Sequence, residues 1–124
     1  MEYDENGTLI SKGLYVDGKR DGEWKFKNGE YIAQGKYVDG KMDGEWKQYY
    51  QNGKLAFEGS YFDGLENGEH RYYYDNGKLK EEKNFRMGLK DGIFKSFDEN
   101  GELVLTSVYK ADNLQRLEGV KVGE

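Results

Sequence analysis

Hydrophobic and polar positions alternate with period two along most of the chain, most regularly in Tyr37 to Tyr61, YVDGKMDGEWKQYYQNGKLAFEGSY. Alternation of this kind sends successive side chains to opposite faces of a strand. Asn52-Gly53 interrupts it, and Asn-Gly suits a two-residue type I′ turn with positive φ at both central positions. With those two residues as the loop, Gln51 faces Lys54, Tyr50 faces Leu55, Gln48 faces Phe57, Trp46 faces Gly59 and Gly44 faces Tyr61. Trp46, Tyr50, Leu55, Phe57 and Tyr61 then share an inner face. Glu45, Lys47, Tyr49, Glu58 and Ser60 share a wet one, on which Lys47 and Glu58 stand opposite each other. Gly59 leaves room for the Trp46 indole to lie across bare backbone.

The same pattern recurs. Its turns fall at Asn6-Gly7, Asn28-Gly29, Asn52-Gly53, Asn76-Gly77 and Asn100-Gly101, with steps of 22, 24, 24 and 24 residues. Fixed spacing of this kind marks a repeat architecture. A second motif keeps the same step: YVDGKRDGEW from Tyr15, YVDGKMDGEW from Tyr37, YFDGLENGEH from Tyr61 and FRMGLKDGIF from Phe85. The short first step removes two residues between Trp24 and Gly29, which preserves parity, so Trp24, Phe26, Tyr31, Ala33 and Tyr37 still share a face. The prediction is an all-β antiparallel meander of about five β-hairpins over residues 1–109, the first one incomplete at Met1-Glu2-Tyr3, with Val16 to Gly22 as a connecting loop. Residues 110–124 form a degenerate terminal repeat or cap, either an edge strand over Leu117 to Val122, with Val120 and Val122 inward, or a short helix from Asp112 to Gly119.

Composition changes this picture in one respect. The chain has 124 residues, 35% of them hydrophobic, and a mean hydropathy of -1.04, which is thin for a globular core. Eleven Tyr, six Phe and two Trp supply the missing apolar area, and aromatics stacked along one sheet can hold it without a second layer. Eighteen glycines and no proline agree with strands joined by tight turns.

The net charge of -5 argues against nucleic acid, whose affinity depends on Lys and Arg displacing counterions, and favours a basic protein partner. The chain has no cysteine, hence no disulfide and no thiolate metal site. No apolar run reaches transmembrane length and no signal peptide opens the sequence, so the expectation is a soluble protein. The truncated first strand suits either a fragment of a longer array or a mature region whose export signal has been removed; a cytoplasmic place is favoured, and in the second case the envelope becomes the alternative.

Candidate chemistry is sparse, and the expectation is a protein with no catalytic residue, metal or cofactor. His70, the one histidine, stands where earlier units have tryptophan and faces Lys83, which replaces the slot glycine; with no second histidine or cysteine beside it, packing is the expected role. Asp17, Asp21, Asp39 and Asp43 lack the spacing of a calcium loop and are expected to form turns. No nucleophile elbow or phosphate-binding loop occurs.

The candidate partner-binding residues lie on the wet face. Tyr49, Tyr73 and Phe97 place one aromatic per unit in a column, a rigid amphipathic contact surface whose replacement by Ser at Tyr73 and Phe97 is expected to spare folding. In the fourth unit Ile93, Phe97, Val104 and Val108 make this face apolar as well, so it needs a cover: the chain's own end, a second copy forming a homodimer there or through the end strands, or a protein partner.

Together, YVDGKMDGEW alternating with YYQNGKL at 24-residue steps over residues 3 to 109 resembles the bacterial variant of the MORN repeat (membrane occupation and recognition nexus). His70, Lys83 and Met87 depart from the pattern, as does the loss of both turn glycines after Tyr109. The resemblance implies an elongated, single-layer sheet of successive hairpins curved into a trough, and a noncatalytic role. Bacterial proteins of this kind are commonly labelled antitoxins of toxin-antitoxin systems; eukaryotic relatives are described as membrane-associated scaffolds with proposed phosphoinositide binding. An acidic, aromatic-lined sheet suits occlusion of a basic toxin better than it suits anionic lipid, because the lysines are interleaved with acids.

Overall fold

A computed structural model of the chain describes residues 2–3 and 9–119, and within them the backbone forms one antiparallel sheet with no helix. The strands are β1 (Glu2–Tyr3), β2 (Leu9–Val16), β3 (Lys19–Asn28), β4 (Tyr31–Val38), β5 (Lys41–Tyr49), β6 (Leu55–Phe62), β7 (Leu65–Tyr73), β8 (Leu79–Arg86), β9 (Leu89–Lys90), β10 (Gly92–Phe97), β11 (Leu103–Lys110) and β12 (Asn113–Gly119). Each pairs with its neighbour in the chain, save that β9 and β10 both pair with β8 as two pieces of a strand interrupted at Asp91. The accessible surface of 8292 Å² exceeds the roughly 6,800 Å² of a compact globule of this mass, as a single layer requires.

The two kinds of turn occupy opposite edges of the sheet, and the type I′ geometry predicted for Asn-Gly is found instead at Asp-Gly. At the Asp-Gly edge Val16 pairs with Lys19, Val38 with Lys41, Phe62 with Leu65, Arg86 with Leu89 and Lys110 with Asn113. Both loop residues have positive φ, for instance 52° at Asp39 and 81° at Gly40, so the type I′ turns sit here. Residues 16–22 are therefore a hairpin tip and strand, not a loop. In each DGKxDG motif the second Asp-Gly lies at a β-bulge: while β2 advances two residues from Lys12 to Leu14, β3 advances four from Lys25 to Asp21, with Gly22 at φ 73°, and β4 and β5 repeat this between Gln34–Lys47 and Lys36–Asp43. Asp17 and Asp39 are turn formers as expected, whereas Asp21 and Asp43 lie in strands beside bulges.

At the Asn-Gly edge Tyr50 N–H donates to the Lys54 carbonyl at 2.8 Å and Gly53 N–H to the Tyr50 carbonyl at 2.9 Å. That is a three-residue loop, a type I turn followed by Gly53 at φ 87°. Asn52 Oδ1 accepts from Lys54 N–H at 2.9 Å, and this side-chain bond selects the longer loop. Hence Gly44–Tyr61, Trp46–Gly59 and Gln48–Phe57 pair as predicted, while a bulge moves Leu55 opposite Tyr49 and leaves Tyr50 opposite Lys54. The first complete hairpin differs: Asn28 pairs with Tyr31, leaving only Gly29 and Glu30 in the loop. The turn predicted at Asn6-Gly7 lies outside the described residues.

The inner face is a ladder of rings. Tyr15, Trp24, Tyr37, Trp46, Tyr61, His70, Phe85, Phe94 and Tyr109 follow one another at centroid distances of 5.0, 6.2, 5.0, 6.5, 5.1, 5.1, 5.5 and 4.9 Å, mostly edge to face. Trp46 and His70 are each 1% exposed, packed without a second layer by neighbouring side chains, Phe26, Tyr37, Met42 and Tyr61 around Trp46 and Phe57, Tyr61 and Phe85 around His70. Long cationic side chains lie over other rings of this face. The Arg20 guanidinium sits 4.5 Å from the Trp24 ring centroid, Lys83 Nζ 4.9 Å from Tyr72 and Lys90 Nζ 4.9 Å from Tyr109.

The glycine slots work differently from the expectation. Trp46 pairs with Gly59, yet its indole lies over Gly35 of the preceding hairpin, just as Trp24 lies over Gly13 and His70 over Gly59. Each large ring leans back across the boundary between repeats, so the slot glycine welds neighbouring units together.

Asn113–Gly119 form the strand β12, which excludes the helical alternative there. Val120 and Val122, expected to point inward, lie outside the described residues. Arg116 pairs with Val108 and Glu118 with Thr106, so β12 extends the sheet edgewise and does not fold over the outer face.

Candidate interaction surface

A single row of register partners crosses the outer face: Lys12, Lys25, Gln34, Lys47, Glu58, Arg71, Glu82, Lys95, Thr106 and Glu118. From Lys47 to Lys95 the sign alternates; before Lys47 it does not. Lys47 and Glu58 face each other as predicted, but the Lys47 ammonium lies 3.9 Å from Glu45. Glu58 instead accepts from the Tyr73 hydroxyl at 2.5 Å. Arg71 pairs with both Glu69 and Glu82.

The aromatic column lies on this face, although its members are half-buried parts of the framework. Tyr49 pairs with Ile32. The Tyr73 carbonyl accepts from the Tyr50 hydroxyl at 2.5 Å, and the Phe97 carbonyl accepts from the Tyr74 hydroxyl at 2.7 Å. These bonds step from one repeat to the next. Burial and the bond to Glu58 raise the pKa of Tyr73. The expectation that Ser at position 73 spares folding is accordingly corrected: it would remove a side chain that ties two repeats.

In the fourth unit Ile93 pairs with Val108, and Phe97 with Leu103 across a bulge. Ile93 is 47% and Val104 38% exposed. Among the described residues nothing covers this patch, since β12 lies beside it.

Sequence reasoning missed a second apolar surface, at the Asp-Gly edge. There the glycine N–H of each turn donates to a carbonyl of the preceding repeat, Gly40 to Arg20, Gly64 to Met42 and Gly88 to Glu66, at 2.9, 2.9 and 2.8 Å. In the first two steps an ion pair joins the same repeats, Lys19 to Asp39 at 3.5 Å and Lys41 to Asp63 at 3.4 Å. In the third, Leu65 replaces the lysine and Met87 the aspartate, and Leu65 packs on Gly88. Phe62, Leu65, Met87 and Leu89 stay exposed. Leu in YFDGLENG where the earlier copies have Lys was the legible signal.

His70 belongs to the inner face. Its Nε2 lies 2.7 Å from the Ser60 carbonyl, as the indole nitrogens of Trp24 and Trp46 lie 3.0 and 3.1 Å from the Leu14 and Lys36 carbonyls, always ten residues apart. Burial lowers its pKa, so a neutral ring donating from Nε2 stands in for the indole.

These features, a ladder of hairpins with stacked Asp-Gly tips and ring-over-glycine seams, agree with the comparison to protein families: a model described as MORN repeat variant matches residues 1–17, 42–63, 66–87 and 90–111. The chain belongs to the MORN repeat variant family. MORN repeats are in general modules for interaction with proteins or lipids. The stretch between the first two matched segments contains the shortened β3–β4 hairpin. No curated protein matches the chain.

Proposed function

We propose that this MORN-repeat chain is a noncatalytic protein-binding module that holds a partner against the outer face of its C-terminal half and neutralises it in the manner of an antitoxin or immunity protein. The observation that supports this reading is the apolar patch of Ile93 and Val104, with Val108 and Phe97 beside them, left uncovered among the described residues on the outer face. An exposed apolar surface rimmed by charge suits a protein partner. The net charge of -5 favours a basic one.

The test is capture from the native cell by the wild-type chain and by Ile93→Asp/Val104→Asp, followed by co-expression of the captured protein with each. The expected result is a protein retained by wild type, lost by the variant at unchanged thermal stability, and toxic unless wild type is co-expressed. Equal capture by both chains would remove the patch from consideration, and a captured protein without toxicity would remove the antitoxin role. A membrane-associated scaffold is the alternative, and salt-sensitive sedimentation with anionic vesicles would favour it.

A further inference from the structure

We infer that a groove on the N-terminal part of the outer face is a docking site for an acidic peptide segment carrying an apolar side chain. It goes beyond the function proposed above, which rests on the opposite end of the sheet.

The groove follows from the missing two residues. Later turns at the Asn-Gly edge are joined to their neighbours by the bonds from Tyr50 to Tyr73 and from Tyr74 to Phe97, and by Asn76 and Lys78 to the carbonyls of Glu99 and Asn100 at 2.9 and 3.1 Å. Between the first two complete hairpins no such hydrogen bond occurs among the described residues: the Gly29-Glu30 loop is shorter than the Tyr50–Lys54 loop beside it, and the two turns meet through the rings of Tyr31 and Tyr50, 5.5 Å apart. The longer loop overhangs the shorter hairpin and leaves a depression of about 500 Å³ lined by Lys25, Lys27, Ile32, Gln34, Tyr49 and Tyr50. One repeat later the same position is filled, since Tyr73 lies against Glu58. Here Gln34 stands in the place of Glu58, and Lys27 heads the column that continues as Tyr49 and Tyr73.

Charge selects the occupant. Lys12 pairs with Lys25 across β2 and β3, and Lys27 follows on the same face. Among the described residues no carboxylate lies within 4.0 Å of any of the three ammonium groups, although acids outnumber bases in the chain. Like charges directly opposite each other on a sheet are unfavourable, and a bound carboxylate relieves them. Because the screening length is about 8 Å at physiological salt, this local cluster governs binding more than the net charge does. Ile32 and Tyr49 give the floor an apolar strip between the lysines, as wanted for an acidic segment with a Phe, Leu or Trp among its carboxylates.

The experiment selects a random peptide display library on the immobilised full chain and measures the enriched peptides by fluorescence anisotropy. Acidic peptides containing an apolar residue are expected, bound more weakly at high salt and at least about tenfold more weakly by Lys25→Glu/Lys27→Glu. Lys27→Tyr, which restores the residue type of the later repeats, should close the groove and weaken binding without reversing charge; it serves as the decisive variant if the double variant does not fold. Ile93→Asp should bind the peptides as wild type does, which separates this site from the patch of the fourth unit. Enrichment of neutral or basic peptides, no enrichment, or equal affinity for wild type and the groove variants would overturn the inference. Sedimentation with phosphatidylserine vesicles that the groove variants abolish, without enrichment of acidic peptides, would overturn it in favour of a membrane surface.

Discussion

His70 Nε2 lies 2.7 Å from the carbonyl of Ser60, the same ten-residue relationship that joins Trp46 to Lys36. The imidazole thus occupies an indole's seat, over Gly59 and between Tyr61 and Phe85. Truncation by His70→Ala should cost about 3–5 kcal/mol, the range for emptying a buried aromatic site. The pH dependence is more specific. Burial lowers the pKa of His70, so below the ordinary value of 6.5 the unfolded chain takes up a proton that the folded chain resists. The contribution of His70 is complete above pH 6.5 and is lost as pH falls through the lower, folded value. Denaturant titrations at pH 7.5 and 5.5 should show a smaller loss of stability in His70→Phe than in wild type, although the carboxylates titrate in both.

Trp46 and Gly35 set the seam between the first two complete hairpins. A Cβ on Gly35 would fall inside the Cδ2 and Cε2 atoms of the indole, and backbone on one side and a buried ring on the other leave it nowhere to go. Gly35→Ala should destabilise by about 1–3 kcal/mol, as overpacking does. Gly119→Ala, where nothing lies within 4 Å of the new methyl, is the matched control. Comparable melting temperatures for the two variants would refute the seam.

At the Asp-Gly edge, backbone conformation and the ion pair can be separated. Asp63 holds φ 52° and lies 3.4 Å from Lys41, with both side chains more than half exposed. Exposed pairs contribute at most about 1 kcal/mol and often nothing, whereas a β-branched residue in the left-handed region costs roughly 1–2 kcal/mol. Asp63→Asn should therefore be almost neutral and Asp63→Val clearly destabilising in urea unfolding. Equal losses would transfer the effect to the charge.

Tyr61 gives an alkaline counterpart to His70. Its burial between Trp46 and His70 pushes the hydroxyl pKa up to about 12, above the value of about 10 in an unfolded chain. Stability from the protonated phenol is complete below pH 10 and declines as pH rises through 12. Absorbance titration should show one fewer late-ionising tyrosine in Tyr61→Phe than in wild type, where burial also raises Tyr50, Tyr72 and Tyr73, and the variant should lose less stability between pH 9 and 11 than wild type.

The repeat, the strand parity and the inner ring positions were legible in the chain because side-chain alternation is a one-dimensional property: once the 24-residue step is seen, Trp46, Phe57 and Tyr61 must share a face whatever the turns do. The survival of that parity through two missing residues follows from the same arithmetic. Turn types were not legible. Asn-Gly and Asp-Gly both tolerate type I′, and the bond from Asn52 Oδ1 to the Lys54 amide, which chooses the longer loop, belongs to the folded turn. Nor could register reveal that Trp46 covers Gly35 and not its partner Gly59, since the lean of an indole depends on which side offers unfilled space. The groove beside Tyr49 is tertiary in the same sense: two residues fewer in one hairpin become a cavity only when a longer hairpin lies next to it.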